Sequence, residues 1–207
     1  LAEQISPMMA EFSSNIYLNI TLFKKIKSVY ENKHNLNDKE DLRILDIIYK
    51  DFLRNGAGLS EKKKNELRKV DKELSTLSPK FSNNVLNATN EFELWLNNED
   101  LEGLPNIVID SAKLAAKERG ESDKWLITGQ FPSFAPFLKY SKKRELRKKV
   151  HFGVTTKCNG GKHDNNELCK KIAKLKHKRA QLLGYNNYAD YVLEKRMAEK
   201  QERIFDL

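Results

Sequence analysis

Four residues of types that bind zinc recur in one part of the chain, at Cys158, His163, Cys169 and His177. Zinc sites in small domains usually hold two ligands close together, typically across a two-residue gap, and neither pair here has that spacing. On one helix, Cys169 and His177 would stand about 12 Å apart at ~1.5 Å per residue, too far to ligate one ion. The spacing therefore predicts two ordinary thiols and two surface histidines rather than a metal site.

Other catalytic patterns are missing from the sequence. No histidine is followed by Glu and then by a second His four residues on, so the helical zinc-protease motif His-Glu-x-x-His is absent. Gly56-Ala57-Gly58 lacks the third glycine and the Lys-Ser/Thr pair of a phosphate-binding loop, and indicates a plain connection between helices. No paired carboxylates and no Ser/His/Asp or Cys/His arrangement can be assembled. We therefore predict no catalytic, no cofactor-binding and no metal-binding residue in this chain.

A basic stretch follows an aromatic one. Seven lysines and arginines lie between Lys139 and Lys149, offset by Glu145, and four aromatic residues precede or enter the stretch: Phe131, Phe134, Phe137 and Tyr140. Charge for phosphates and aromatic rings for stacking would suit a nucleic acid. However, aromatics among prolines are typical of a packed segment, and the lysines recur on a helix whose other face is apolar. We favour a solvated helix face and expect no nucleic-acid partner, with a basic binding module for nucleic acid or a protein as the alternative.

Composition limits the class of protein. The chain has 207 residues, a net charge of +9, 32% charged and 39% hydrophobic residues, and no apolar run of the ~18–20 residues that a membrane span needs. Two cysteines make no disulfide framework, which favours a reducing compartment. The chain begins at Leu1 without an initiator Met and stops at Leu207 in what looks like a starting helix. We therefore expect a fragment of a longer protein.

One long helix organises the predicted fold. Between Leu59 and Phe92 the apolar residues recur in steps of three and four, which puts them on one helical face: Leu67, Val70, Leu74, Leu77, Phe81 and Val85. Ser60 is the candidate N-cap. Pro79 lacks an amide hydrogen, so we expect a kink or a break into two helices there.

The remaining segments predict further helices and one β ribbon. Helices are expected over about 1–12, ending at Ser13-Ser14-Asn15, and over about 19–33, 38–55, 107–119, 141–150 and 165–183, with Asp38 or Asn37 and Ser141 as caps. Strand-like alternation at 91–97 and 124–129 predicts an antiparallel pair. Pro132 and Pro136 predict an extended loop over 131–137. The fold class is mainly α, one helical domain over 1–207 with a β-ribbon excursion at about 91–140.

Taken together, short stretches along nearly the whole chain resemble one family. They are Gly56–Ser60, Leu67-Arg68, Glu73–Ser78, Phe81–Leu86, Thr89–Phe92, Gly103–Pro105, Trp125–Thr128, Pro132-Ser133, Tyr140-Ser141, Arg144–Arg147, Asn159–Gly161, Asp164-Asn165, Leu182–Tyr185, Ala189–Leu193 and Met197-Ala198. In this order they resemble the N-terminal helical region of the thimet oligopeptidase-like zinc metallopeptidases, among them the peptidyl-dipeptidase Dcp-like members.

The resemblance implies a function for a parent protein. Family members are helical ellipsoids with a deep channel that admits short, unstructured peptides, and a zinc ion held by His-Glu-x-x-His and a downstream Glu activates water. Dcp-like members release C-terminal dipeptides. None of those ligands is in this sequence, so the resemblance implies a non-catalytic part that forms one wall of the channel. It further implies zinc in the parent but none bound to this chain, a missing C-terminal catalytic region, no membrane partner, and a cytoplasmic location with the periplasm as the alternative.

Overall fold

A computed structural model describes residues 1–206, which form ten α-helices and one two-stranded antiparallel sheet. The predicted fold class, mainly α with a small ribbon, is confirmed. By contacts the chain divides into two compact units: Leu1–Lys80 together with the chain from Cys169 onward, and Phe81–Leu168. The single domain over 1–207 stays a prediction. Within the part of the chain that the structure describes, no helix is both long enough and apolar enough to cross a membrane.

The elements follow one another through short connections. The helices are α1 Ala2–Tyr17, α2 Ile20–Glu31, α3 Lys39–Arg54, α4 Glu61–Glu91, α5 Asn106–Glu118, α6 Phe131–Tyr140, α7 Arg144–Thr155, α8 Asn166–Leu182, α9 Tyr188–Leu193 and α10 Glu202–Phe205. The strands are β1 Glu93–Leu96 and β2 Trp125–Thr128, and short 3₁₀ turns cover Lys33–Asn35 and Asn98–Asp100.

In the first unit, α2 and α3 pack through aromatic rings. Phe23 and Phe52 are buried, and the rings of Tyr30 and Tyr49 stack with centroids 3.9 Å apart. As predicted, Asp38 caps α3 by accepting from the amides of Glu40 and Asp41. After α3 the chain turns at Gly56, whose φ of +93° only glycine adopts readily, and a Cβ there would press on the Leu67 side chain.

Helix α1 runs further than predicted, and its bulky apolar residues are exposed. It continues through Ser13-Ser14-Asn15 to Tyr17, so the predicted stop there was wrong. The segment contains neither glycine nor proline after Pro7, and Ser13 and Ser14 lie on its half-buried face. That face carries mostly small or polar side chains, whereas the bulky apolar ones are exposed: Ile5, Met8, Met9, Phe12 and Ile16. No residue of α1 is fully buried.

Helix α4 is continuous through Pro79, so of the predicted kink or break into two helices the break was wrong, and the kink stays a prediction. One proline removes a single hydrogen bond, to the carbonyl four residues earlier, and leaves the rest of the ladder in place. The apolar face supplies the compensation, because Leu67 and Val70 are almost fully buried on it. Lys64 on the same helix is buried too, and its ammonium donates to the Leu18 carbonyl at 3.3 Å and contacts Glu61 at 3.1 Å.

In the second unit the β ribbon supports the core. The strands pair antiparallel with Glu93 opposite Thr128 and Leu96 opposite Trp125, within the predicted segments. The buried residues of this core are Leu96, Leu104, Val108, Ala112, Ile127, Phe137 and Val150. Close approach of α7 to the chain before β1 requires Gly153, since a Cβ there would overlap the Phe92 ring.

Two local predictions in this unit were wrong. The stretch 131–137 is helical, not an extended loop. Pro132 stands in the first turn of α6, where no intrahelical donor is needed, so Pro136 alone removes a hydrogen bond. Ser141 does not cap α7: Lys143 is the N-cap residue, and the buried Ser141 hydroxyl accepts from the Lys143 amide at 3.3 Å.

Candidate functional site

The second unit contains an open groove of about 400 Å³ between α5, β2 and α6. Its floor is formed by buried Val108, Ala112 and Ile127. The remaining lining residues come from α5, from the end of β2 and its connection, and from the start of α6: Ile107, Ser111, Ala115, Thr128, Gln130, Pro132, Ser133 and Pro136. None of these eleven residues is charged, in a chain in which 32% of residues are. The groove is therefore an apolar concave surface.

Local sequence explains why the groove exists. On α5 the residues that face it fall at 107, 108, 111, 112 and 115, one helical face, and three of them are as small as serine or alanine. On α6 the facing residues Pro132, Ser133 and Pro136 have compact side chains as well. Small side chains on both walls keep the two helices from filling the space between them.

The four polar residues of the groove are already hydrogen-bonded within the protein. Ser133 Oγ accepts from the Thr128 amide at 2.9 Å, and Ser111 Oγ donates to the Ile107 carbonyl at 2.7 Å. Thr128 Oγ1 accepts from the Gln130 amide at 3.4 Å, and the Gln130 side chain donates to Asn90 Oδ1 at 2.9 Å. A ligand in the groove therefore meets mostly carbon and neutral polar groups.

The cysteine and histidine series is not gathered into a site. Cys158 and His163 lie in the connection between α7 and α8, whereas Cys169 and His177 lie on α8. Among residues 1–206, no three His, Cys, Asp or Glu side chains are grouped as a metal ion would require. The absence of catalytic, cofactor-binding and metal-binding residues stays a prediction.

His163 instead helps to hold its loop against the end of α4. Its Nε2 lies 2.9 Å from Glu91 Oε2, and Lys162 Nζ lies 2.8 Å from the other oxygen of that carboxylate. Hydrogen bonds from Lys162 and His163 lower the pKa of Glu91. The buried side chain of Asn165, two residues after His163, donates to the carbonyl of Phe81 on α4 at 3.1 Å. The arrangement is that of a docked loop.

Some residues of the basic stretch contact other groups of the protein, and the rest are exposed. Lys142 and Lys143 lie 3.4 and 4.0 Å from Glu102, and Arg147 donates to the Ser141 carbonyl at 2.5 Å. The nearby Phe137 is fully buried in the core, so it is not available for base stacking. Phe131 and Tyr140 are exposed, and the absence of a nucleic-acid partner stays a prediction.

A polar cluster in the first unit was not foreseen from the sequence. Arg54 donates to the Tyr191 carbonyl at 2.7 Å and to Tyr185 at 3.2 Å, and it pairs with Glu194. Burial, and then the hydrogen bond to Glu194, raise the pKa of Tyr185 to about 12. The cluster ties the segment after α8 to the end of α3, a structural role.

A second pair lies beside it. Arg179 is 2.7 Å from Asp71, and its guanidinium stands 5.2 Å from the Tyr191 ring centroid. Burial by itself would lower the pKa of Arg179, but Asp71 and Tyr191 more than offset it and the pKa is raised. Here too the charges face each other and support the packing of α8 on α4.

The groove was also missed, for an identifiable reason. Our prediction of an extended loop over 131–137 left α5 without a facing helix. The available signal was the small-residue face of α5 at Ser111, Ala112 and Ala115. That signal becomes meaningful once the opposite wall is known.

Comparison with known proteins identifies the family. The model of "Peptidase family M3" matches residues 137–207. Oligopeptidase A of Escherichia coli strain K12 is 31% identical over 99% of this chain and 31% of its own length. The chain belongs to peptidase family M3.

Relatives with two different names, oligopeptidase A and dipeptidyl carboxypeptidase, match to a similar degree. A probable cytosolic oligopeptidase A of Arabidopsis thaliana is 30% identical over 99% of this chain and 30% of its own length. A dipeptidyl carboxypeptidase of Salmonella typhimurium is 30% identical over 96% of this chain and 30% of its own length. The chain thus spans about 30% of the length of these relatives.

Proposed function

We propose that this chain is the non-catalytic N-terminal helical part of a zinc metallopeptidase that cleaves short peptides, and that it forms one wall of the peptide channel. The observation that carries the proposal is the family membership, together with the share of about 30% that the chain covers of relatives called oligopeptidase A and dipeptidyl carboxypeptidase. This sequence contains no His-Glu-x-x-His motif. In the proposal, the zinc and its ligands therefore belong to the part of the protein outside this sequence.

Two surfaces support a role inside a larger protein. The exposed apolar stripe of α1, with Phe12 60% exposed, is the kind of helical face that another part of a protein covers. The uncharged groove is the concave apolar surface expected of a wall that contacts unfolded peptides. Release of C-terminal dipeptides is the finer form of the proposal, and a cytoplasmic location goes with it, in line with the cytosolic name of one relative.

Zinc content and peptide cleavage test the proposal. The purified 207-residue chain should hold no stoichiometric zinc and release no dipeptide from a short blocked peptide. The longer protein that carries it should do both, and a chelator should abolish its cleavage. Stoichiometric zinc on the chain alone, removed by Cys158→Ala or His163→Ala but not by the matched change His177→Ala, would overturn the proposal.

A further inference from the structure

We propose that the groove between α5, β2 and α6 binds uncharged, apolar side chains of an unfolded peptide and rejects charged ones. The inference rests on the proposed function, in which this chain contacts peptides. It adds which peptide side chains the chain binds, and it names the residues that bind them.

The lining carries the argument. Seven of its eleven residues are apolar, and the other four are neutral and hydrogen-bonded within the protein. A charged side chain entering such a groove would lose water without meeting an opposite charge among the lining residues, and this desolvation is costly. An apolar side chain loses only unfavourable contact with water and gains packing.

The edges of the groove extend its apolar surface. Ile107, which lines it, is 76% exposed, and Phe131, next to the lining residue Pro132, is 72% exposed. Large apolar groups left in water beside an apolar groove offer additional contact area to an extended peptide. The groove and these two side chains together could hold more than one peptide side chain.

Charge argues against two other occupants of the groove, a second copy of this chain and a phosphate-bearing partner. A second copy of this chain would bring another net charge of +9, and like-charged copies repel each other. A phosphate-bearing partner would need cations, and the lining supplies none. An unfolded peptide segment without charge fits the lining.

Binding of two matched peptides to the 207-residue chain is the first measurement. One is a short blocked, fluorescently labelled peptide of alternating serine and leucine, and the other has glutamate in place of its central leucines. Fluorescence anisotropy should give a Kd for the leucine peptide lower by about tenfold or more, as burial of an unpaired charge predicts. Equal affinities would overturn the inference.

Variants of one helix assign the effect to the groove. Ser111→Glu puts a charge into the lining and should weaken binding of the leucine peptide by about tenfold. Leu114→Glu, the matched control, adds the same charge at a position of α5 that is 60% exposed and outside the lining, and should leave binding unchanged. Ser111→Lys should restore binding of the glutamate peptide, because it supplies the missing opposite charge.

The outcomes separate this inference from the proposed function. If the leucine peptide binds but Ser111→Glu and Leu114→Glu behave alike, the groove is not the site, whereas the chain still contacts peptides. If neither peptide binds, the inference is wrong, whereas the proposed function is still decided by zinc content and peptide cleavage of the longer protein. If the leucine peptide binds this chain but not the longer protein, the groove is covered by the rest of that protein and the inference is wrong.

Discussion

Ser133 Oγ accepts a 2.9 Å hydrogen bond from the backbone amide of Thr128, joining the last residue of β2 to the first turn of α6. Both residues line the groove. This bond ties the first turn of α6 to the end of the ribbon. A side chain of the groove thus links two of the elements that line it.

Loss of that hydroxyl should be measurable. Ser133→Ala leaves the Thr128 amide without its partner and should lower the free energy of unfolding by about 1 kcal/mol. Ser111→Ala is the control, because its hydroxyl only repeats a bond within α5 at an exposed position. Urea denaturation of both variants checks this, and equal stability losses would contradict the role given to Ser133.

Gly153→Ala should destabilise the protein although alanine is the better helix former. In an unhindered helix this change would gain about 1 kcal/mol. Here the added Cβ overlaps the Phe92 ring, and we expect a net loss of about 1–3 kcal/mol.

Replacing the Phe92 ring by a smaller side chain tests whether the ring causes this loss of stability. In a Phe92→Leu background the same glycine change should cost much less, so urea denaturation of the two single variants and the double variant should show strong non-additivity. Additive losses would mean that the Phe92 contact is not the reason for the glycine.

Pro79→Ala should stabilise the protein. It returns an amide donor to the interior of α4 opposite the Ser75 carbonyl, and proline costs a helix interior about 3 kcal/mol relative to alanine. Since the proline also restricts the unfolded chain, we expect a net gain of about 1–2 kcal/mol. Pro132→Ala, in the first turn of α6, restores no needed donor and should give no gain. Thermal and urea unfolding of both variants will show the difference in sign.

Glu91 should make stability depend on acid pH. Its pKa is lowered by Lys162 and His163, so the folded state favours the ionised carboxylate. The stabilisation is present above the ordinary glutamate pKa of about 4.3 and is lost as the pH falls through the lower folded value. Glu91→Gln should flatten the stability profile in this acid range. Unfolding followed from pH 3 to 6, about the range in which carboxylates titrate, is the measurement.

Tyr185 should make stability depend on alkaline pH. Its pKa is raised to about 12, so the phenol stays neutral in the folded chain when an exposed tyrosine, with a pKa of about 10, has already ionised. The stabilisation is therefore complete below about pH 10 and is lost as the pH rises towards 12. Tyr185→Phe should remove phenolate absorbance that appears as the pH rises towards 12 in an alkaline titration. If the absorbance that the variant loses is instead the part that appears near about pH 10, the pKa of Tyr185 is not raised.

Local rules read from the sequence were sufficient where one element decides the outcome. The spacing of Leu67 and Val70 predicted the buried face of α4, and the β ribbon formed where alternating residues indicated it. Asp38 and Gly56 marked the two ends of α3 because capping and a left-handed turn depend on the residue itself. Short family-like stretches likewise predicted membership of a peptidase family.

Local rules failed where packing across the chain decides. Pro79 and Pro136 remained inside helices because tertiary contacts outweigh one lost hydrogen bond. Ser141, a plausible cap by type, is buried instead, and Lys143 precedes α7.

By itself the sequence determined the helical class, the ribbon and the lack of a His-Glu-x-x-His motif, since these depend on periodicity and on residue type. Only the tertiary structure decided that α1 exposes its apolar face and that α5 and α6 enclose an uncharged groove. The reason is physical: a groove is the space left between two elements, and that space depends on how both are placed rather than on the sequence of either.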